Sequence, residues 1–186
     1  MNIMIVGVGG QGTLLASRIL GNVAIKEGFD VKVSEVHGMS QRGGSVVTYV
    51  KYGEEVYSPI IDKGEADLIL AFEELEAYRA LPYLKKDGKM IANTQQMNPM
   101  PVITGAMQYP QDIVTKLSSK IQLIAVDALS LAKEAGNIKA VNVVLIGLLA
   151  KSMSVAKETW IEVLKDTVPP KFIDVNLKAF ELGYNC

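Results

Sequence analysis

The chain has 186 residues, 49% of them hydrophobic, and a formal net charge of −1. That size and apolar content suit one domain over residues 1–186 with a single core, and the balanced charge excludes a basic field that would draw the chain to nucleic acid. Cys186 is the only cysteine, which excludes an internal disulfide framework and any four-thiolate iron–sulfur or zinc site built from this chain alone.

The opening "MNIMIVGVGG" has no basic leader and no long apolar core of a signal peptide. With one cysteine, this predicts a reducing, cytoplasmic setting. Residues 3–6 predict a buried strand broken by Gly7. Leu14, Leu15, Ile19, Val23 and Ala24 fall near helical spacing, and Gly28 is placed to stop that helix. "DVKVSEV" alternates as a strand does, and residues 45–52 are β-branched and aromatic, a third strand. Gly53 and Pro59 then predict a hairpin return over "YGEEVYSP".

"ADLILAF" reads as a buried strand, followed by a helix over roughly residues 73–83. "KDGKMIANT" reads as a turn and then a strand, and residues 94–110, with three prolines, read as irregular. A short helix with Pro110 at its start, the strand "IQLIAV" and a helix over 128–136 capped by Asp127 follow. From residue 142 onward no strand is predicted. Asn142 is a candidate cap for "VVLIGLLAKSM", a helix so apolar that it must lie in the core or under a partner. The longest apolar run, "AVNVVLIGLLA", falls well short of the roughly 20 residues a membrane span requires. "AKETWIEVLKDTV" is amphipathic and is stopped by Pro169 and Pro170, and the last helix carries Val175, Ala179 and Leu182 near one face. The pattern is that of a three-layer, Rossmann-like α/β sandwich with a mixed, mostly parallel sheet and a helical C-terminal third.

Two glycine-rich stretches stand out. In "GVGGQG", Gly7, Gly9 and Gly12 take the spacing of a dinucleotide fingerprint after a strand and before a helix, with Gly10 and Gln11 between them. The first turn of that helix would offer free N–H groups to a phosphate, and Glu35, ending the second strand, stands where a ribose-binding carboxylate would. The other reading of these glycines is close packing of helix on strand. The second stretch, "HGMSQRGGSV", holds the only histidine. Gly38, Gly43 and Gly44 free the backbone there, Arg42 adds a forked cation, and Ser40, Gln41, Ser45 and His37 add hydrogen-bonding groups. Such a loop suits an anion. It equally suits a subunit interface with Arg42 in a salt bridge.

Taken together, "GVGGQG", "HGMSQRGGSV", "SPII", "EADLILAFE" and "NLKAFELGY" resemble the gamma-type domain of the 2-oxoacid:ferredoxin oxidoreductases, over essentially the whole chain. The likeness is strongest to the small-subunit branch that serves indolepyruvate and other aryl pyruvates. It implies a subunit that is inactive alone and works with a large alpha subunit. The complex would decarboxylate a 2-oxoacid oxidatively with coenzyme A as co-substrate and pass electrons to ferredoxin. Thiamine diphosphate, Mg and the 4Fe-4S clusters would belong to the alpha subunit, with no cofactor or metal bound by this chain alone. The resemblance also implies that the 37–45 loop meets an anion in the partner's active site, and it leaves the glycine fingerprint as a phosphate site for coenzyme A. A gamma subunit for another 2-oxoacid and a free-standing NAD(P)-binding oxidoreductase are the alternatives.

Overall fold

The computed structural model describes residues 1–38 and 43–186. The chain runs β1 (Asn2–Val8), α1 (Thr13–Lys26), β2 (Asp30–His37), β3 (Ser45–Gly53), β4 (Ala66–Ala71), α2 (Glu74–Ala80), β5 (Leu84–Asn93), α3 (Met100–Ile103), α4 (Ile113–Ser118), β6 (Gln122–Val126), α5 (Ala128–Ala135), α6 (Val141–Lys151), α7 (Lys157–Thr167) and α8 (Ile173–Tyr184). The strands form one mixed sheet in the order β2-β3-β1-β4-β5-β6. The pairs β1–β4, β4–β5 and β5–β6 are parallel, and β3 is antiparallel to both β1 and β2.

Central strands are apolar on both faces because helices cover both. Ile3, Ile5, Leu68, Leu70 and Ile91 point into a core shared with α1 and α5–α8. Met4, Val6, Ile69, Ala71, Met90 and Ala92 point into a second core under α2 and α4. This is the expected three-layer sandwich, and its last third is helical. Helix α1 stops where the sequence placed the stop. Gly28 takes φ +86°, its N–H donates to Ile25 O at 2.9 Å, and that of Phe29 donates to Ala24 O at 3.1 Å. That is a left-handed glycine C-cap.

Some expectations need correction. Residues 54–65 form no return strand. Both edges of β3 are already taken, by β1 and β2, so nothing following Gly53 can pair with it; instead Val56 N–H donates to Asp30 Oδ2 at 2.9 Å. The "KDG" turn lies inside β5 as an irregularity: Ala66 pairs Leu84 but Leu68 pairs Lys89, with Asp87 at φ +65°. The proline-rich stretch contains one helical turn, α3. Asn142 is no cap. A 3₁₀ turn over Ile138–Ala140 leads into α6, and Asn142 falls within the helix's first turn.

Helix α6 fills this chain's own core. Every residue from Val141 to Ala150 is buried, so its apolar side chains offer no surface to a partner. It crosses α8 at two glycines. A Cβ on Gly147 would sit 2.3 Å from Phe180 O, and one on Gly183 would sit 2.0 Å from Val144 O.

Candidate functional site

The chain leaves β1 through α1 toward β2 and β3, and leaves β4 through α2 toward β5 and β6. A crevice opens at the C-terminal ends of β1 and β4, where the direction of winding reverses. The Gly7–Gly12 loop lies in this crevice.

Its conformation needs glycine for two separate reasons. Gly10 and Gly12 take φ +101° and +84°. Gly7 has no room for a side chain: a Cβ would meet Gln11 Oε1 at 2.9 Å and Phe72 Cβ at 3.0 Å. Gln11 braces the loop. Its Oε1 accepts from Val8 N at 2.7 Å and its Nε2 donates to Phe72 O at 3.1 Å, tying the end of β1 to the end of β4. Asn142 Nδ2 donates to Gly12 O at 3.4 Å. Helix α1 has no side-chain cap on its first turn.

The two glycine-rich stretches meet. Gly9 N–H donates to Gly44 O at 2.8 Å, and Gly43 N–H donates to Gly9 O at 3.4 Å. Glu35 and His37, with Gly9, Gly10, Gly12, Thr13, Leu14 and Val46, line a cavity of about 260 Å³. On the other side of the loop a crevice of about 580 Å³ is lined by the same glycines with Gln95, Met97, Leu129 and Lys139. Glu35 is exposed and accepts from Thr48 Oγ1 at 3.2 Å. His37 is exposed, with Nδ1 3.2 Å from Gly38 O. Because β3 stands between β1 and β2, Glu35 is not on the strand adjacent to the fingerprint, as a dinucleotide fold would have it. Gly38 is exposed. Ser40, Gln41 and Arg42, the centre of the loop singled out in the sequence, lie outside the described residues.

Ser45 has a partner that sequence reading missed. Its hydroxyl donates to Glu76 Oε2 at 2.6 Å. Glu76 belongs to a run of three buried carboxylates, with Glu73 1%, Glu74 7% and Glu76 4% exposed. Glu73 accepts from Glu76 N at 2.9 Å, Met97 N at 2.9 Å and Tyr109 Oη at 2.5 Å. Glu74 Oε2 accepts from Gln96 Nε2 at 2.8 Å. Glu76 Oε1 accepts from Arg79 Nη1 at 2.5 Å. Burial, and then the Glu73 carboxylate, push the Tyr109 phenol well above its ordinary value. The signal in the sequence was "FEELEAYR", glutamates crowded directly after an apolar strand, where a helix start buries its first turn at the crevice. Among the described residues, no three His, Cys, Asp or Glu side chains form a group that could hold a metal ion, and no helix is long and apolar enough to cross a membrane.

The family model for pyruvate ferredoxin/flavodoxin oxidoreductase matches residues 2–186. A relative from Thermococcus kodakarensis, indolepyruvate oxidoreductase subunit IorB, is 48% identical over 98% of this chain and 93% of its own length. The protein of the same name from Pyrococcus horikoshii is 46% identical over the same shares. Among solved structures, the gamma subunit of a keto/oxoacid ferredoxin oxidoreductase from Geobacter sulfurreducens superposes with a TM-score of 0.74 at 24% identity, covering 99% of this chain and 96% of that one. The 2-oxoglutarate:ferredoxin oxidoreductase of Magnetococcus marinus matches with a TM-score of 0.75 at 19% identity, over all of this chain and 30% of the longer one. At these identities the structural matches speak for the fold.

Proposed function

The chain belongs to the pyruvate ferredoxin/flavodoxin oxidoreductase family, and from that premise we propose that it is the small (beta) subunit of an indolepyruvate ferredoxin oxidoreductase. The observation that carries the reading is the 48% identity, over nearly the full length of both chains, to a protein named as an indolepyruvate oxidoreductase subunit. The assembled enzyme converts an aryl pyruvate and coenzyme A to the aryl-acetyl-CoA and CO₂ and reduces ferredoxin, in the cytoplasm. The dinucleotide alternative is weakened by β3, which separates Glu35 from the strand that carries the fingerprint.

One cysteine cannot supply the four thiolates of a cluster. As the family resemblance implies, we assign the 4Fe-4S clusters, Mg and thiamine diphosphate to the large alpha subunit. When bound there, thiamine diphosphate supplies the carbanion chemistry of decarboxylation. The share of this chain is binding and orientation. Its candidate groups are the open first turn of α1 and the loop from His37 to Ser45, joined at the Gly9–Gly44 bond. They suit a phosphate of coenzyme A or the carboxylate of the 2-oxoacid.

The test is co-expression with the large subunit, then assay of coenzyme A-dependent reduction of ferredoxin or a viologen across indolepyruvate, pyruvate and 2-oxoglutarate. The complex turns over indolepyruvate preferentially and the isolated chain turns over nothing. Turnover by this chain alone would overturn the subunit reading, and preference for another 2-oxoacid would move the chain to a different gamma-type enzyme.

A further inference from the structure

Glu76, in the first turn of α2, reaches Ser45 beside the point where the two glycine stretches meet. It is 4% exposed, and each carboxylate oxygen has a separate donor: Ser45 Oγ at 2.6 Å and Arg79 Nη1 at 2.5 Å. Ser45 begins β3, opposite Val8 in β1. The residue before it, Gly44, accepts from Gly9, and Gly43 donates back to Gly9 O. A continuous path therefore runs from Arg79 through Glu76 and Ser45 to Gly44 and Gly9. A neutral side chain packed on β3 would hold α2 against the sheet without the desolvation that a buried carboxylate requires. What the carboxylate adds is direction. It sets where Ser45 sits, and so where the Gly43–Gly44 backbone meets the loop that walls both cavities.

We propose that Glu76 is a positioning residue: acting through Ser45, it holds the Gly43–Gly44 backbone against Gly9 and so sets the geometry of the glycine loop. The kinetic part of this proposal rests on the subunit function proposed above. The structural part does not.

Two arms test it. In the purified full-length chain, hydrogen exchange at the Gly9 amide is compared among wild type, Ser45→Ala, Glu76→Gln and Ser45→Thr. A glutamine cannot accept from both donors, so Ser45→Ala and Glu76→Gln both speed exchange at Gly9, on the order of tenfold. Core amides of β4 keep their wild-type rates, and Ser45→Thr, which retains the hydroxyl, keeps Gly9 protected. In the assembled enzyme, kcat/KM falls on the order of tenfold in either single variant. The double variant is no worse than the poorer single one, because both act through one path. If Gly9 exchanges at the wild-type rate in both variants, or only together with the β4 core amides, Glu76 is a packing residue and the proposal is wrong. A wild-type complex inactive on every 2-oxoacid would remove the function proposed above, while the exchange arm would still decide the role of Glu76.

Discussion

Gly9 donates its amide to the Gly44 carbonyl at 2.8 Å. The bond makes one wall of two stretches that are far apart in the chain, one after β1 and one before β3. Each looked in the sequence like a separate loop with a separate task. Joined, they place a helix N-terminus and the flank of an arginine-bearing loop on the same crevice.

Arg42→Ala should lower turnover of the assembled enzyme while assembly survives. A charge-assisted hydrogen bond to an anion contributes about 1.5–3 kcal/mol, which is roughly ten- to a hundredfold in rate or affinity. Arg42→Lys should recover little if the grip is bidentate, because an ammonium lacks the guanidinium fork. Complex formation and steady-state kinetics measured on one preparation decide the matter. Weakened assembly with near-normal turnover per complex would make Arg42 an interface residue.

Gly12→Ala and Gly10→Ala should differ in cost, although both residues have positive φ. At Gly10 a Cβ meets nothing within 4 Å, leaving only the left-handed strain of about 1–2 kcal/mol. At Gly12 it would lie 2.5 Å from Asn142 Nδ2, so the Asn142 contact to Gly12 O must also break. Urea unfolding midpoints should rank wild type above Gly10→Ala and Gly10→Ala above Gly12→Ala. Equal losses would mean that the Asn142 contact contributes nothing.

Helix glycines divide in the same way. Gly183→Ala would drive a Cβ to 2.0 Å from the Val144 carbonyl oxygen, a backbone atom that cannot turn aside. The expected loss is about 3 kcal/mol or more. Gly21, inside α1, would place its Cβ 3.7 Å from Val33 Cγ2, an ordinary contact. Gly21→Ala should therefore stabilise the chain by about 0.5–1 kcal/mol through helix propensity and a less flexible unfolded state. Thermal or urea unfolding of the two variants reads both signs.

Tyr109 should make stability depend on pH at the alkaline end. Its phenol donates to Glu73 at 2.5 Å, and its pKa is raised above the ordinary value of 10.0 by burial and by that carboxylate. A raised folded-state pKa gives stability that is complete below the unfolded value. It is lost as pH climbs past it, because the unfolded chain ionises while the folded chain keeps its proton. Above about pH 10 this one group removes about 1.4 kcal/mol per pH unit. Tyr109→Phe should cost about 1–3 kcal/mol at neutral pH and should lose stability less steeply between about pH 10 and 11. Parallel curves for wild type and variant would rule the account out.

Local pattern carried most of the fold. Apolar runs bounded by glycine or by acidic residues marked β1, β4, α1 and α5, although β1 continues through Gly7 to Val8, because strand and helix periods are written in neighbouring residues. The order of strands was not legible in the same way. Whether β3 pairs with β2 alone or slips between β2 and β1 depends on residues 2–8 meeting residues 45–51, and that contact has no local signature. The mistaken hairpin after Gly53 has the same origin, since a turn residue does not reveal whether a strand edge is free. The glycine fingerprint was readable as a phosphate loop, but not its stitch to Gly44, which is made by backbone atoms any residue possesses. Glu73, Glu74 and Glu76 escaped notice because charged residues at a helix start read as solvated. Their burial follows from Tyr109, Met97 and Ser45, which approach from remote parts of the chain.

The helical third has a consequence in time. The sheet face that carries Ile3, Ile5, Leu68, Leu70 and Ile91 shares its core with α6, α7 and α8, which begin only at Val141. During synthesis the strands leave the ribosome first and the helices that cover them last. Until residues 141–184 emerge, α1 and α5 give that face only part of its cover, and a nascent or truncated chain presents adjacent apolar strands to its neighbours. The same chain that folds into a closed sandwich thus passes through an open-faced stage whose duration is set by translation.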